Sequence, residues 1–325
     1  MTQRRKRFFV ILFRAAALAF LALPGLAQVV GPAVPLKSPA DSSQKFGRPI
    51  QIDVEMVLVN VTVTDPRDHL VMGLQKNNFR LFENDVEQEI LTFSNDDMPI
   101  SIGLLFDMSG SMADKLDKSR QAALQILKTA NPQDEFFLVS FNDRAELTSG
   151  FTSNIEDLQR RMMSTKTKGR TALLDAIYLA MHQMKSARYR KRALVVISDG
   201  GDNHSRYHEA RIRSDLREAD CQLYAMGIFD DQDMKHTPEE RKGPALLSEL
   251  AEITGGHAFP VSSMDQLPDV AAKISMELRD RYVLGYKPGG SRDGAWRAIK
   301  VKVAPPTGAP PVHVYSRSGY YSPSD

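Results

Sequence analysis

The chain has 325 residues, of which 42% are hydrophobic and 25% are charged, so its length and composition predict about two globular domains with enough apolar material for a core. It carries 42 basic and 40 acidic residues, and five of the basic residues lie among the first 27, where there is no acidic residue. The rest of the chain is therefore slightly acidic, which argues against a nucleic-acid-binding protein, whose domains are usually basic.

The amino terminus has the pattern of a secretory signal peptide. Basic residues at positions 4–7 precede an apolar run from Phe8 to Leu23, and small residues lead up to Ala27. We predict a signal peptide at 1–27, hence an exported protein that is periplasmic, cell-surface or secreted. Arg14 interrupts the apolar run, whereas a membrane span needs about 20 apolar residues; an uncleaved anchor is the alternative. No membrane span is expected after cleavage.

The next segments differ in composition. Residues 28–49 are rich in Pro, Gly, Ser and Ala and predict a flexible linker. Residues 50–98 predict the first part of a β domain, because valines alternate at positions 57, 59, 61 and 63. Two further strands, at 79–83 and 87–93, flank the turn residues Asn84, Asp85 and Val86 and predict a hairpin.

An apolar strand at 101–105 leads directly into one carboxylate and two hydroxyls at alternate positions, Asp107, Ser109 and Ser111. A hard divalent cation such as Mg²⁺ takes about six oxygen ligands and is usually held by few carboxylates. The pattern therefore indicates a cation site. Asp and Ser are also common at helix starts, where they cap free backbone N–H groups, so capping is the alternative.

Two further oxygen donors follow in the chain. Thr171 ends a polar loop and precedes an apolar helical run, and Asp199 follows the apolar run at 193–197, which predicts a strand buried on both faces. In open α/β sheets ligands bind outside the carboxyl ends of the strands. We therefore expect Asp107 and Asp199 to meet at one edge of a sheet.

Residues 99–282 alternate between helical and strand patterns. Helices are predicted at 114–130, 172–185, 209–219, 244–254 and 264–280, and strands at 136–141, 193–198 and beside Cys221, with a hairpin return near Leu147. Such alternation predicts an α/β fold with a doubly wound, mostly parallel sheet flanked by helices.

Strand patterns return at 281–286, 296–303 and 312–316. We predict that residues 283–325 complete the β domain begun at 50–98, which would be a small, all-β, sandwich-like domain built from both chain ends with the α/β domain inserted. Two unrelated β pieces are the alternative.

The set Asp107, Ser109, Ser111, Thr171 and Asp199 resembles the metal-ion-dependent adhesion site (MIDAS) of the von Willebrand factor A (vWA) domain. The resemblance covers roughly residues 100–282 and includes every position of the motif. The whole arrangement is similar to exported bacterial vWA-domain proteins. In this family the two Ser and the Thr commonly bind the ion directly, and one or both Asp act through water. The resemblance therefore implies that Asp107 and Asp199 hold bound waters, or bind the ion directly in another state.

The resemblance implies a binding protein and not an enzyme. The expected cofactor is Mg²⁺, with Mn²⁺ or Ca²⁺ as alternatives, and the expected partner is a protein that offers an Asp or Glu carboxylate to the ion. Two other functions stay open. One is metal-assisted hydrolysis, which needs a base such as His204; the other is a structural role in envelope assembly with a purely stabilising ion.

Three other residue sets have simpler interpretations. His204 and His208 have the i, i+4 spacing of a zinc-binding pair, but no HExxH motif accompanies them, and a solvated loop is expected. Asp202 is expected to cap the following helix, with a second ion as the alternative. Cys221 is the only cysteine, so no intrachain disulfide can form, and a small core side chain is expected.

Overall fold

The computed structural model describes residues 56–164, 166–229, 238–305, 308 and 310–324. The predicted signal peptide at 1–27 and the linker at 28–49 lie outside these residues. Within the described ranges, none of the helices has both the length and the apolar character that crossing a bilayer requires.

Four short strands open the described chain: β1 (Val57–Thr64), β2 (Phe79–Glu83), β3 (Val86–Gln88) and β4 (Thr92–Ser94). Our expectation of a single strand at 87–93 was wrong. β3 pairs with β2, whereas β4 pairs with a strand from the other end of the chain, and the buried Ile90 lies between them. A pattern of apolar residues does not specify the partner strand, so it could not show that the chain changes sheets here.

Within the described residues, six strands form the central sheet, and six α-helices accompany it. The strands are β5 (Ile100–Asp107), β6 (Glu135–Phe141), β7 (Ala145–Thr152), β8 (Lys191–Ser198), β9 (Gln222–Ile228) and β10 (Ala258–Val261). The helices are α1 (Leu116–Lys128), α2 (Ile155–Ser164), α3 (Leu173–Met184), α4 (Glu209–Glu218), α5 (Pro238–Thr254) and α6 (Leu267–Arg279).

The sheet order is β10-β9-β8-β5-β6-β7, and every pairing is parallel except β6 with β7. Alternate residues of a strand face opposite sides. Leu104 accordingly packs with α1 and α6 on one face, and Leu105 packs with α3 and α5 on the other. Both faces are therefore covered, as the α/β alternation predicts.

Several elements differ from their predicted limits. α5 begins at Pro238, six residues before the expected start, and carries Pro244 in its interior. α2, β10 and the last strand of the chain had no predicted counterpart; the two strands are only four and three residues long.

Four strands close the chain: β11 (Tyr282–Tyr286), β12 (Trp296–Val303), β13 (His313–Ser316) and β14 (Gly319–Tyr321). They pair with the amino-terminal strands in two four-stranded antiparallel sheets, in the orders β13-β1-β11-β4 and β14-β12-β2-β3. One hydrophobic cluster contains residues of both sheets, among them Val61 and Leu81. Residues from the two ends of the chain thus share a core.

The position of β5 creates a crevice. The chain leaves β5 toward β6 on one side, and it later returns to β8 on the other side. Ligand-binding crevices of open α/β sheets form where the direction of winding reverses, outside the carboxyl ends of the strands. Asp107, the last residue of β5, and Asp199, the residue after β8, lie at this crevice.

Candidate metal site

Asp107 is fully buried at the end of β5. Its Oδ1 accepts a hydrogen bond of 2.8 Å from the backbone N–H of Ser109, and its Oδ2 accepts one of 2.5 Å from Ser198 Oγ. These two bonds fix the carboxylate at the crevice. Ser198 was not among the predicted site residues, although a hydroxyl beside Asp199 at the end of a strand is the signal that could have identified it.

Ser109 and Ser111 lie in the turn after β5. Their Oγ atoms are 3.1 Å apart. Two oxygens in adjacent octahedral positions, each about 2.0–2.1 Å from Mg²⁺, are themselves about 3 Å apart. Ser109 is buried whereas Ser111 is exposed, so this pair connects the buried Asp107 with the surface.

Two backbone hydrogen bonds attach the loop of Thr171 to this turn. The N–H of Gly110 donates to the carbonyl of Gly169 at 3.0 Å, and the N–H of Lys168 donates to the carbonyl of Met108 at 2.9 Å. Thr171 is buried, and its own N–H donates to Asn203 Oδ1 at 2.9 Å. The structure therefore holds the loop that carries Thr171 against the turn that carries the two serines.

Asp199 is also buried, and its Oδ2 lies 3.9 Å from Lys115 Nζ. Burial, and secondarily the charge of Asp199, raises the pKa of Asp107 to about 7. Two buried carboxylates close enough to interact favour a bound cation, because each ionised group otherwise destabilises the other.

The donor set fits a hard divalent cation. Two carboxylates and three hydroxyls supply only oxygen atoms, which suit Mg²⁺, Mn²⁺ and Ca²⁺ and not a soft metal. The described residues include no cluster of three or more His, Cys, Asp or Glu placed to hold a metal. The predicted site contains only two such residues, so its fit depends on the hydroxyls.

The loop after Asp199 has a structural role. Asp202 Oδ1 accepts hydrogen bonds from Leu174 N–H at 3.3 Å and from Ser205 Oγ at 2.6 Å. Our expectation that Asp202 caps the following helix was wrong, since it binds the first turn of α3, which precedes it in the chain. Only the tertiary fold brings this loop to the start of α3.

The two histidines have separate surroundings. His204 Nε2 lies 2.9 Å from Arg170 Nη2, and His208 is the exposed residue before α4.

Exposed basic side chains surround one side of the crevice. Arg144, Lys166, Lys168 and Arg170 are all exposed, and they lie in the two loops that contact each other through the 2.8 Å hydrogen bond from Ala172 N–H to the carbonyl of Asn142. Asp143 Oδ1 accepts the N–H of Arg170 at 2.9 Å. This arrangement leaves a positive surface beside Ser111.

Cys221 is buried at the start of β9, and burial raises the pKa of its thiol to about 12. The side chain is therefore a neutral thiol at physiological pH, which agrees with a packing role.

One stretch of the chain matches a known domain family. Residues 102–201 match the family model of the von Willebrand factor type A domain, a stretch that contains all five predicted ligands. The chain is 24% identical to human inter-alpha-trypsin inhibitor heavy chain H4 over 142 residues, which are 40% of this chain and 15% of that protein. It is also 24% identical to the Bos taurus heavy chain H4 over 209 residues, which are 58% of this chain and 22% of that protein.

The chain spans less than a quarter of the length of these curated relatives. Among solved structures, a von Willebrand factor type A protein from Catenulispora acidiphila has a TM-score of 0.49 at 10% identity, covering 82% of this chain and 75% of that one. The vWF domain of the type V pili tip protein Mfa5 from Porphyromonas gingivalis has a TM-score of 0.45 at 12% identity, covering 55% and 95%.

The family match and the observed sheet agree with the expectation of a vWA-like α/β fold: the sheet is mixed, five of its strands are parallel, and helices cover both faces.

Proposed function

We propose that this chain is an exported, metal-dependent protein-binding module that recognises a partner through a carboxylate. The proposed cofactor is Mg²⁺, with Mn²⁺ or Ca²⁺ as alternatives, and the proposed ligands are Asp107, Ser109, Ser111, Thr171 and Asp199. The observation that carries this proposal is the crevice in which the buried Asp107 is joined by hydrogen bonds to the end of β8 and to the turn of the two serines.

The five residues have different proposed roles. Ser109, Ser111 and Thr171 would supply neutral oxygens directly, whereas Asp107 and Asp199 would act mainly through bound water. When bound, the ion would offer an open coordination position to an Asp or Glu carboxylate of a partner protein. The exposure of Ser111 and the basic side chains beside it support access by a negatively charged group.

A binding role is favoured over hydrolysis. A hydrolase that uses this ion would also need a general base near the reacting atoms. His204, the base that the enzyme hypothesis requires, has its Nε2 against the guanidinium of Arg170.

We also propose that the two four-stranded sheets form a β-sandwich that serves as a stalk. The chain enters the central sheet after β4 and leaves it before β11, and these two strands pair with each other. β4 precedes the amino end of β5, whereas Asp107 lies at its carboxyl end. A stalk in this position would leave the metal face open to a partner.

Isothermal titration of Mg²⁺ into the protein tests the site. We expect binding by the wild type and none by Asp107→Ala, because that carboxylate is central to the site. Asp114→Ala is the matched control, since Asp114 is an exposed acid close in sequence. Unchanged Mg²⁺ binding by Asp107→Ala would contradict the proposal.

Partner recognition is tested by capture from an envelope extract with Mg²⁺, with EDTA, and with Asp107→Ala in Mg²⁺. The proposal requires a partner that is retained in the first condition and absent in the other two. A protein that binds metal but retains the same partners in all three conditions would have a structural ion.

A further inference from the structure

A second candidate site lies at the other end of the central sheet. A cleft of about 600 Å³ is lined by the starts of β1 and β8, the loop after β11 and the end of the chain. This volume is within the roughly 300–1,000 Å³ of ligand pockets. Among the described residues that line it, seven side chains are basic and two, Asp96 and Asp220, are acidic; the basic residues include Arg190, Lys191, Arg192, Lys287, Arg297 and Arg317.

Internal ion pairs account for only part of this positive charge. Arg297 pairs with Asp293 at 2.8 Å, and Arg317 lies 3.7 Å from Asp220. The Nζ of Lys191 donates to the carbonyl of Arg279 at 2.9 Å, and the Nε of Arg192 donates to the carbonyl of Tyr189 at 3.0 Å. These two acceptors are neutral, so the charges of Lys191 and Arg192 are not cancelled by them.

One lysine of the cleft has a lowered pKa. Burial, and next the charge of Arg281, lowers the pKa of Lys191 to about 8. A cleft that is lined by one sign of charge, with walls of low dielectric, concentrates the electric field and attracts ions of opposite charge. A bound anion would raise the pKa of this lysine, because a nearby negative charge favours the protonated form.

Apolar side chains lie among the basic ones. Val57, Leu58, Val283 and Pro288 line the same cleft, together with Met98, whose side chain is exposed. A ligand that fills the cleft therefore needs apolar groups as well as negative charge. A sulfated or phosphorylated sugar supplies the charge but little apolar surface, whereas a peptide can alternate carboxylates with apolar side chains.

We propose that this cleft binds an acidic peptide segment that carries apolar side chains. An arginine guanidinium group can donate two parallel hydrogen bonds to a carboxylate. The cleft is separate from the proposed metal site, because Lys191, which lines the cleft, begins β8, and Ser198, which contacts Asp107, ends it. Seven residues of strand at about 3.3 Å each place the two ends about 23 Å apart.

The test is fluorescence anisotropy of a labelled eight-residue peptide of alternating Glu and Val, titrated with the full chain in EDTA. We expect binding that weakens as salt increases, and no binding of the same peptide with Gln in place of Glu. Arg190→Glu combined with Lys287→Glu should weaken binding by about tenfold or more, because both exposed cations face the ligand.

Lys166→Glu combined with Lys168→Glu is the matched control, since it makes the same change in net charge beside the metal crevice. This variant should bind the peptide as tightly as the wild type. Equal losses in the two double variants, equal binding of the Gln peptide, or no binding at all would overturn the proposal. Tighter binding of a sulfated oligosaccharide than of the peptide would also overturn it.

Discussion

The hydroxyl of Ser198 donates a 2.5 Å hydrogen bond to Oδ2 of Asp107 and joins the carboxyl ends of β8 and β5. Both residues are fully buried. Ser198 therefore determines which way the Asp107 carboxylate faces, although it is not one of the proposed metal ligands. Residues that orient a ligand in this way usually contribute strongly to metal affinity.

Ser198→Ala should weaken Mg²⁺ binding by about 10- to 100-fold, because the Asp107 carboxylate loses the group that orients it. Isothermal titration measures the change. Ser275→Ala is the control, since Ser275 Oγ is buried and donates to the carbonyl of Ala271 in α6, away from the crevice. An affinity unchanged in Ser198→Ala would show that the orientation of Asp107 does not depend on this bond.

The stability of the metal-free protein should fall as pH rises from about 4 to 7. The folded state raises the pKa of Asp107 from 3.8 to about 7, so in this range the folded protein binds a proton that the unfolded chain has lost. Stability decreases with pH wherever the folded state binds more protons. Above pH 7 both states are ionised at this residue, and its contribution becomes constant.

Asp107→Asn removes this dependence. We compare the free energies of unfolding of the variant and the wild type, both in EDTA. The difference in favour of the variant should be larger at pH 8 than at pH 4 by up to about 4 kcal/mol, since one pKa unit corresponds to about 1.4 kcal/mol. Urea unfolding at a series of pH values measures the difference. Parallel pH profiles of the two proteins would contradict the effect of burial on Asp107.

Gly169→Ala should impair both stability and metal binding. Gly169 has φ +78°, and an added Cβ would lie 2.3 Å from Asp143 Oδ2. A left-handed non-glycine residue alone costs about 1–2 kcal/mol, and the added crowding would displace the loop whose carbonyl binds Gly110. Gly73→Ala is the control, because Gly73 has the same φ of +78° with nothing near its Cβ position.

We expect the two glycine variants to lose similar free energies of unfolding from the backbone strain, with a further loss in Gly169→Ala. Only Gly169→Ala should lower Mg²⁺ affinity. Equal Mg²⁺ affinity in both variants would show that metal binding does not depend on the loop of Gly169.

Tyr286→Phe should destabilise the fold by about 1–3 kcal/mol. Glu83 is buried in β2, and its Oε2 accepts hydrogen bonds from Tyr286 Oη at 2.6 Å and from Tyr320 Oη at 2.9 Å. Loss of one donor leaves a buried acceptor less satisfied, which costs about this much. Burial, and next the bond to Glu83, raises the pKa of Tyr286, so its phenol remains a neutral donor.

Tyr189→Phe is the control for that measurement, since Tyr189 Oη donates to the carbonyl of Gln133 at an exposed position. Glu83 and Tyr286 belong to different four-stranded sheets. A single cooperative urea transition that moves to lower concentration in Tyr286→Phe would show that both sheets unfold together. No shift in that transition would contradict a role for the buried bond.

The sequence by itself determined the features that depend on neighbouring residues. The alternation of helix and strand patterns predicted the α/β layer, because periodicity reports which side chains are buried. Asp107, Ser109 and Ser111 could be predicted as part of a cation site because all three lie within five consecutive residues. Asp199 could be added because the carboxyl ends of parallel strands meet at one edge of a sheet.

Only the tertiary structure decided the features that depend on residues distant in the chain. Ser198 contacts Asp107 across 91 positions, and Asp202 caps α3 instead of the helix that follows it. The segment 87–93 contributes to two sheets because its two halves meet different partners. The basic cleft combines positions from 190 to 317. Sequence patterns identify buried faces, but contacts between segments follow from how those faces pack together.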